Sequence, residues 1–165
     1  MGEIVIKEVL TRKDLREFIY LPEKVHRNED WLPPIYMDEW ELFDRKKNKS
    51  FKYADARLLL AFIDGKPVGR IMGLINRRYN EINKEQHGRF CFMECYNDPE
   101  VFHTLISAIE DWAKQNGMVK LVGPLGFSDK DPQGFQTEGF EYPQFITSAN
   151  NSPYMNTLVE HEGYV

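Results

Sequence analysis

Glu94 lies in an aromatic segment, Arg89-Phe90-Cys91-Phe92-Met93-Glu94-Cys95-Tyr96, where the surroundings would change its chemistry most. Buried among Phe90, Phe92 and Tyr96, its carboxyl would lose the hydration that favours the charged form. Its pKa would then rise toward the range of a proton acceptor near neutrality. The alternative is a carboxylate on the exposed face of the strand, or one paired with Arg70 or Arg89. The same segment holds the only two cysteines, Cys91 and Cys95. Four residues along a strand span about 13 Å, beyond the roughly 7 Å a disulfide tolerates, so free thiols in a reducing compartment are expected. Neither has a helix N-terminus or nearby histidine to form a thiolate, which favours packing over nucleophilic attack. Asn76, Asn150 and Asn151 carry amides that could orient a substrate, although asparagines at strand and helix ends commonly cap or turn. His26, His87, His103 and His161 are scattered, no Cys/His spacing matches zinc, and no metal is expected.

The elements that must position these residues follow from pattern. Ile4-Val5-Ile6 with Val9 reads as a first strand. Thr11 with Asp14 three residues on reads as a capped helix start, with Leu15, Phe18 and Ile19 on the apolar face. Leu21-Pro22 interrupts that helix, and Trp31-Leu32-Pro33-Pro34 marks a turn into a second one, with Pro34 as its first residue and Tyr36, Met37, Trp40 and Phe43 at helical spacing. Residues 57–63 and 67–76 are strands joined by Asp64-Gly65, a strong two-residue hairpin signal. The glycines of the second of these strands predict a bulge or a close backbone approach. A polar loop, residues 77–88, leads to the cysteine-bearing strand. Asp98 then caps a helix whose stripe is Val101, Leu105, Ile109 and Trp112 and which ends at Gly117. Residues 118–122 form a strand expected to return parallel to its neighbour. Residues 123–151 lose all periodicity but are rich in Gly, Pro, Phe and Tyr, which predicts an ordered loop lining a pocket. Ser152-Pro153 start a last short helix stopped by Gly163.

Composition bounds the function. The chain has 165 residues and 19.5 kDa, about one domain, read as a single unit over residues 1–165. The net charge is -5, and the excess lies in residues 123–165, where Lys130 stands against six acids. With a pI near 5.4, nucleic acid is not an expected partner, because phosphate binding wants a basic stripe. The one basic cluster, Arg45-Lys46-Lys47-Asn48-Lys49 with Lys52, reads as a solvated loop before a strand. The longest apolar run, residues 58–63, is too short for a membrane span, and Met1-Gly2-Glu3 opens without a basic or apolar leader, so a cytoplasmic location is expected.

This order, β-α-α-β-β-β-α-β-α, resembles the GNAT-type acyl-CoA N-acyltransferase superfamily, and several phrases resemble an uncharacterised bacterial branch of it. They are Trp31-Leu32-Pro33-Pro34, Asp64-Gly65-Lys66-Pro67-Val68-Gly69-Arg70-Ile71, residues 90–94, Trp112 with Gly117-Met118, Gly123-Pro124, Glu138-Gly139-Phe140 and Asn150-Asn151-Ser152-Pro153-Tyr154. The resemblance implies an α/β (α+β) fold, a GNAT-like mixed central sheet flanked by helices, with the C-terminal strands missing and a homodimer as one way to complete the sheet. It implies an N-acyltransferase moving an acyl group from acetyl-CoA or another acyl-CoA to a small-molecule amine or peptide, with neither membrane nor metal involved. Acyl-CoA would insert where the fourth and fifth strands splay, against Cys95, Tyr96 and Asn97. Glu94 would accept the proton. The family's usual general-acid tyrosine is replaced by Val159, leaving Tyr154 on the same helix as the substitute. Asn76 and Asn150 would contact the substrate. The pyrophosphate would face Asn97-Asp98-Pro99-Glu100, which has no glycine, one proline and two carboxylates: a good helix cap and a poor phosphate cradle. A non-catalytic relative that keeps the fold and pocket for a ligand or protein partner is the alternative.

Overall fold

The computed structural model of the chain describes residues 2–26, 31–146 and 148–165. The first strand, β1 (Ile4–Glu8), is followed by α1 (Arg12–Tyr20). Thr11 and Asp14 form the expected capping box, each side chain bonded to the other's backbone N–H. Pro22 does not end helical structure outright. It opens a single turn, α2 (Pro22–Val25), because the first helical position has no N–H to lose. Then α3 (Tyr36–Leu42) begins after an Ile35 cap, so Pro34 lies outside the helix.

A 3-10 turn at Lys49–Lys52 leads into the meander of β2 (Ala54–Ile63), β3 (Lys66–Asn76) and β4 (His87–Cys95). Asp64 and Gly65 both take positive φ, 49° and 74°, the conformation that a two-residue hairpin with native twist demands. Residues 77–88 are not a plain loop. Asn76 caps a helix, α4 (Arg77–Asn83), by accepting the Tyr79 N–H at 2.9 Å. The long helix α5 (Pro99–Gln115) starts at Asp98, and β5 (Lys120–Val122) and α6 (Tyr154–His161) complete the order.

The strands lie in sequence order, β1-β2-β3-β4-β5, antiparallel throughout except for the parallel β4–β5 pair. This is the mixed sheet expected. One face packs on α5 and α6 through Leu59, Ile71, Phe90, Phe102, Leu105, Ile109 and Leu158. The other packs on α1 and the following helices through Phe18, Ile19, Phe43, Leu60, Met72 and Leu74. The glycines of β3 serve close approach, since Leu105 and Ile109 of α5 press on Gly69 and Gly73. Two irregularities interrupt the β3 pairings, one opposite β2 at Ala61/Phe62 and one opposite β4.

Candidate functional site

The β3–β4 register passes from Arg70↔Glu94 to Met72↔Cys91, so β4 carries one residue more than its partner over that interval. The extra residue is accommodated at Phe92, whose φ is 51°. Such bulges re-aim neighbouring side chains. On its other edge β4 meets β5 only from His87↔Lys120 to Arg89↔Val122. There Gly123 passes so close to β4 that a Cβ would lie 2.4 Å from the Phe90 carbonyl oxygen. After one further bond, Leu125 N–H to Phe90 O at 2.9 Å, the chain leaves the sheet. The two strands therefore fork, and Cys91, Phe92, Met93 and Glu94 line a pocket whose opposite wall is Pro124, Gly126, Phe135, Phe145 and Ile146.

Four charged side chains among the described residues line that pocket: Glu39, Arg70, Glu94 and Asp131. Arg70 and Glu94 are direct cross-strand neighbours, Arg70 buried and Glu94 largely so, with 5% and 15% of their side chains exposed. The guanidinium donates to Glu94 Oε2 through Nε at 3.1 Å and Nη2 at 2.9 Å, and through Nη1 to the Phe18 carbonyl at 2.7 Å. The rings of Phe18 and Phe92 lie beside it at 5.0 and 5.7 Å. His26 Nε2 meets the other carboxylate oxygen of Glu94 at 3.2 Å. Burial alone would push the Glu94 carboxyl up, but the Arg70 charge and the His26 contact outweigh it and its pKa falls below the ordinary value. The expected upward displacement is thus reversed. Of the partners foreseen for Glu94, Arg70 takes the role, while Arg89 donates instead to Gly126 O.

His26 reaches this place because α2 is fixed on both sides. Pro22 is buried, the His26 N–H closes the turn onto Pro22 O at 2.8 Å, and the Tyr96 hydroxyl donates to Lys24 O at 3.0 Å. The imidazole stacks on Trp31 with centroids 5.3 Å apart and rings 7° from parallel. On its other side, Nδ1 lies 3.4 Å from the Ser152 hydroxyl; in the tautomer that carries its proton on Nε2, Nδ1 is the acceptor. The Tyr154 hydroxyl, two residues on, donates to Cys95 O at 2.7 Å. Arg70, Glu94, His26 and Ser152 form one polar line beside the end of β4, and Tyr154 bonds the β4 backbone next to it.

Several expected roles are relocated. Asn76 caps α4 at the far end of β3, six residues or about 20 Å from Arg70, and is not brought to the pocket. Asn150 does line it, with its amide donating to Leu32 O at 3.3 Å. Asn151 also borders it and clamps the loop, accepting from Gln136 N at 2.7 Å. The main chain of Cys95 and Tyr96 is engaged internally, Cys95 O by Tyr154 and Tyr96 N–H by Val68 O at 3.2 Å. Asn97 is exposed beside them. At the start of α5, Asp98 Oδ1 accepts the N–H groups of Glu100 at 3.0 Å and Val101 at 3.3 Å. The donors a pyrophosphate would need are spent, Pro99 has none, and Glu100 adds negative charge, so this helix end does not fit that group. Cys91 and Cys95 are free and buried, and burial pushes the Cys95 thiol up to about 12.

Sequence reasoning missed His26 as a site residue, since no local pattern singles it out. It also passed over Glu39, whose Oε2 is buried with no hydrogen-bond partner among the described residues. Arg70 carried a legible signal, a lone charge inside the apolar run of β3. No group of three or more His, Cys, Asp or Glu that could hold a metal occurs among the described residues. Nor is any helix among them long and apolar enough to cross a membrane.

No family model matches the chain. It is 29% identical over 165 residues to a bacterial ceramide synthase of Caulobacter vibrioides, covering 99% of this chain and 43% of that protein. It is 27% identical over 161 residues to protein YghO of Escherichia coli, covering 97% and 41%. The chain thus spans about two fifths of the length of these relatives. Among solved structures, an aminoglycoside acetyltransferase from an uncultured soil metagenome, in complex with sisomicin, superposes with a TM-score of 0.50 at 17% identity, covering 72% of this chain and 75% of that one. The architecture is the GNAT-type fold.

Proposed function

We propose that the chain is an N-acyltransferase unit that moves an acyl group from an acyl-CoA thioester to an amine. The observation that carries this reading is the fork between β4 and β5, whose pocket is lined by Arg70 and Glu94, with His26 and Ser152 in contact behind them. The net reaction joins a protonated amine and a thioester into an amide and a free thiol, forming a C–N bond, breaking a C–S bond and releasing one proton. A base is therefore required. In this reading His26 Nδ1 takes the proton through the Ser152 hydroxyl. Glu94 fixes the tautomer and stabilises the imidazolium that forms, and Arg70 holds Glu94 in place. Glu94 is thus a positioning group rather than the base, because its lowered pKa makes it a poor proton acceptor. Tyr154, whose hydroxyl donates to Cys95 O at the end of β4, gives the leaving thiol its proton in this reading, with the thioester arm against Cys95, Tyr96 and Asn97. Asn150 contacts the acceptor at the rim.

The similarity to a ceramide synthase supports an amine acceptor, since a ceramide is the N-acyl amide of a long-chain amino alcohol. We take that compound class as the acceptor. Thiol release is then expected when the chain is mixed with palmitoyl-CoA and sphinganine, and His26→Gln should lower it by about 100-fold or more. Absence of amide from acetyl-CoA and from palmitoyl-CoA alike would contradict the reading.

One observation favours a second reading, a non-catalytic binding module: the Asp98 cap occupies the helix end where a nucleotide pyrophosphate would be received. A donor that raises Tm without any turnover would support it.

A further inference from the structure

We infer that the carboxylate of Glu39 is the seat for a cationic headgroup, an ammonium borne on a long hydrocarbon chain, within the pocket at the β4–β5 fork. The inference rests on the acyl-transfer reading and supplies its acceptor-recognition residue.

Glu39 projects from α3 into the pocket lining, and its Oε2 is buried without a hydrogen-bond partner among the described residues. A buried carboxylate oxygen left unpaired is costly, so a ligand that donates a charged hydrogen bond there regains energy the free protein lacks. The sign of the ligand follows from the neighbours. Among the described lining residues, Glu39, Glu94 and Asp131 stand against Arg70 alone, and Arg70 is already committed to Glu94 and Phe18 O. Asp131 Oδ2 is likewise occupied, accepting from Ser128 N at 3.0 Å. A cation is favoured and an anion repelled. Burial first, then the charges of Glu94 and Asp131, push the Glu39 carboxyl above its ordinary pKa, with Arg70 opposing. An arriving ammonium reverses that displacement.

The hydrocarbon chain is indicated by the mouth of the same pocket. Leu32, Phe145 and Ile146 line it yet remain 40%, 78% and 52% exposed, continuing the apolar wall of Trp31, Phe92 and Phe135 outward to solvent. Apolar surface arranged beside a carboxylate whose buried oxygen is unpaired fits an amphiphile better than a small polar amine.

The test uses two probes of equal chain length, n-decylamine and n-decanol, titrated into the chain by calorimetry below their aggregation limits and without any acyl donor. Decylamine is expected to bind more tightly than decanol. Glu39→Gln is expected to weaken decylamine by about 10- to 100-fold while leaving decanol unchanged. The variant should fold, because Gln matches the shape of the protonated acid and adds a donor, and its Tm is expected to equal or exceed that of the parent. Equal affinity for the two probes, undiminished decylamine binding by Glu39→Gln, or no decylamine binding at all would overturn the inference. The two readings fail separately: a chain that prefers decylamine but forms no amide would end the acyl-transfer reading alone, whereas an active chain indifferent to the Glu39 change would end this one.

Discussion

Replacing Glu94 by Gln removes the negative half of a pair whose other half cannot leave. Arg70 is 5% exposed, lies between the Phe18 and Phe92 rings, and among the described residues has only the Phe18 carbonyl besides Glu94 to receive its N–H groups. Deleting one partner of a buried pair costs about 3–5 kcal/mol, since the survivor keeps its desolvation penalty. In a chain of this size each kcal/mol shifts Tm by about 2–4 °C, so Glu94→Gln is expected to lower Tm by roughly 6–20 °C. The double variant Arg70→Met, Glu94→Leu removes both charges and should recover most of that loss, because an apolar replacement of a buried pair is often neutral. Calorimetry of the parent, Arg70→Met, Glu94→Leu and the double variant closes the cycle, with Glu94→Gln measured beside it. A single Glu94→Gln loss below about 1 kcal/mol, or a double variant whose losses simply add, would refute the assignment of Glu94 as the counter-charge of Arg70.

Asp14 provides a pH test. The Lys7 ammonium, the Thr11 hydroxyl and the N–H groups of Thr11 and Leu10 hold its carboxyl well below the usual range, against the pull of burial. Its contribution is present above the unfolded pKa near 4 and is lost as pH falls below that value. Asp14→Asn should therefore lower Tm at pH 7 by about 2–4 °C, and the gap should narrow below about pH 4; a gap independent of pH would contradict the ion pair. The Cys95 thiol, displaced to about 12, should react with a disulfide reagent at pH 8 roughly 1000-fold more slowly in the folded chain than in denaturant, and rapid native labelling would contradict its burial. Tyr154→Phe leaves Cys95 O without its donor and should cost about 1–3 kcal/mol in urea unfolding; an unchanged midpoint would contradict that hydrogen bond.

What the sequence disclosed was local. Thr11 with Asp14, Asp64-Gly65 and Asp98-Pro99 each carry their geometry within four residues, and the corresponding cap, hairpin and helix start are observed. The helix α4 was hidden because Arg77-Arg78-Tyr79-Asn80-Glu81-Ile82-Asn83 shows no apolar stripe, although Asn76 offered the cap. The loop of residues 123–151 divides its aromatics: Phe135 and Phe145 line the pocket, Phe127 packs on Phe51, and Tyr142 faces solvent. Glu94 was identifiable as a residue in an unusual setting, but the sign of its pKa displacement was not. That sign depends on Arg70 and His26, which lie 24 and 68 positions away and are brought together only by strand register and by the α2 turn. Glu39 was obscured for the same reason: its helical spacing marks it as surface, and only the fold encloses it.

The most direct test is a crystal structure of the chain soaked with a non-hydrolysable thioether analogue of palmitoyl-CoA. The sulfur-bearing arm is expected to run through the opening between Cys91–Glu94 and Pro124–Gly126, with its carbonyl analogue near Ser152 and Tyr154. An arm bound elsewhere, or an opening that stays closed over Phe135 at saturating analogue, would contradict it.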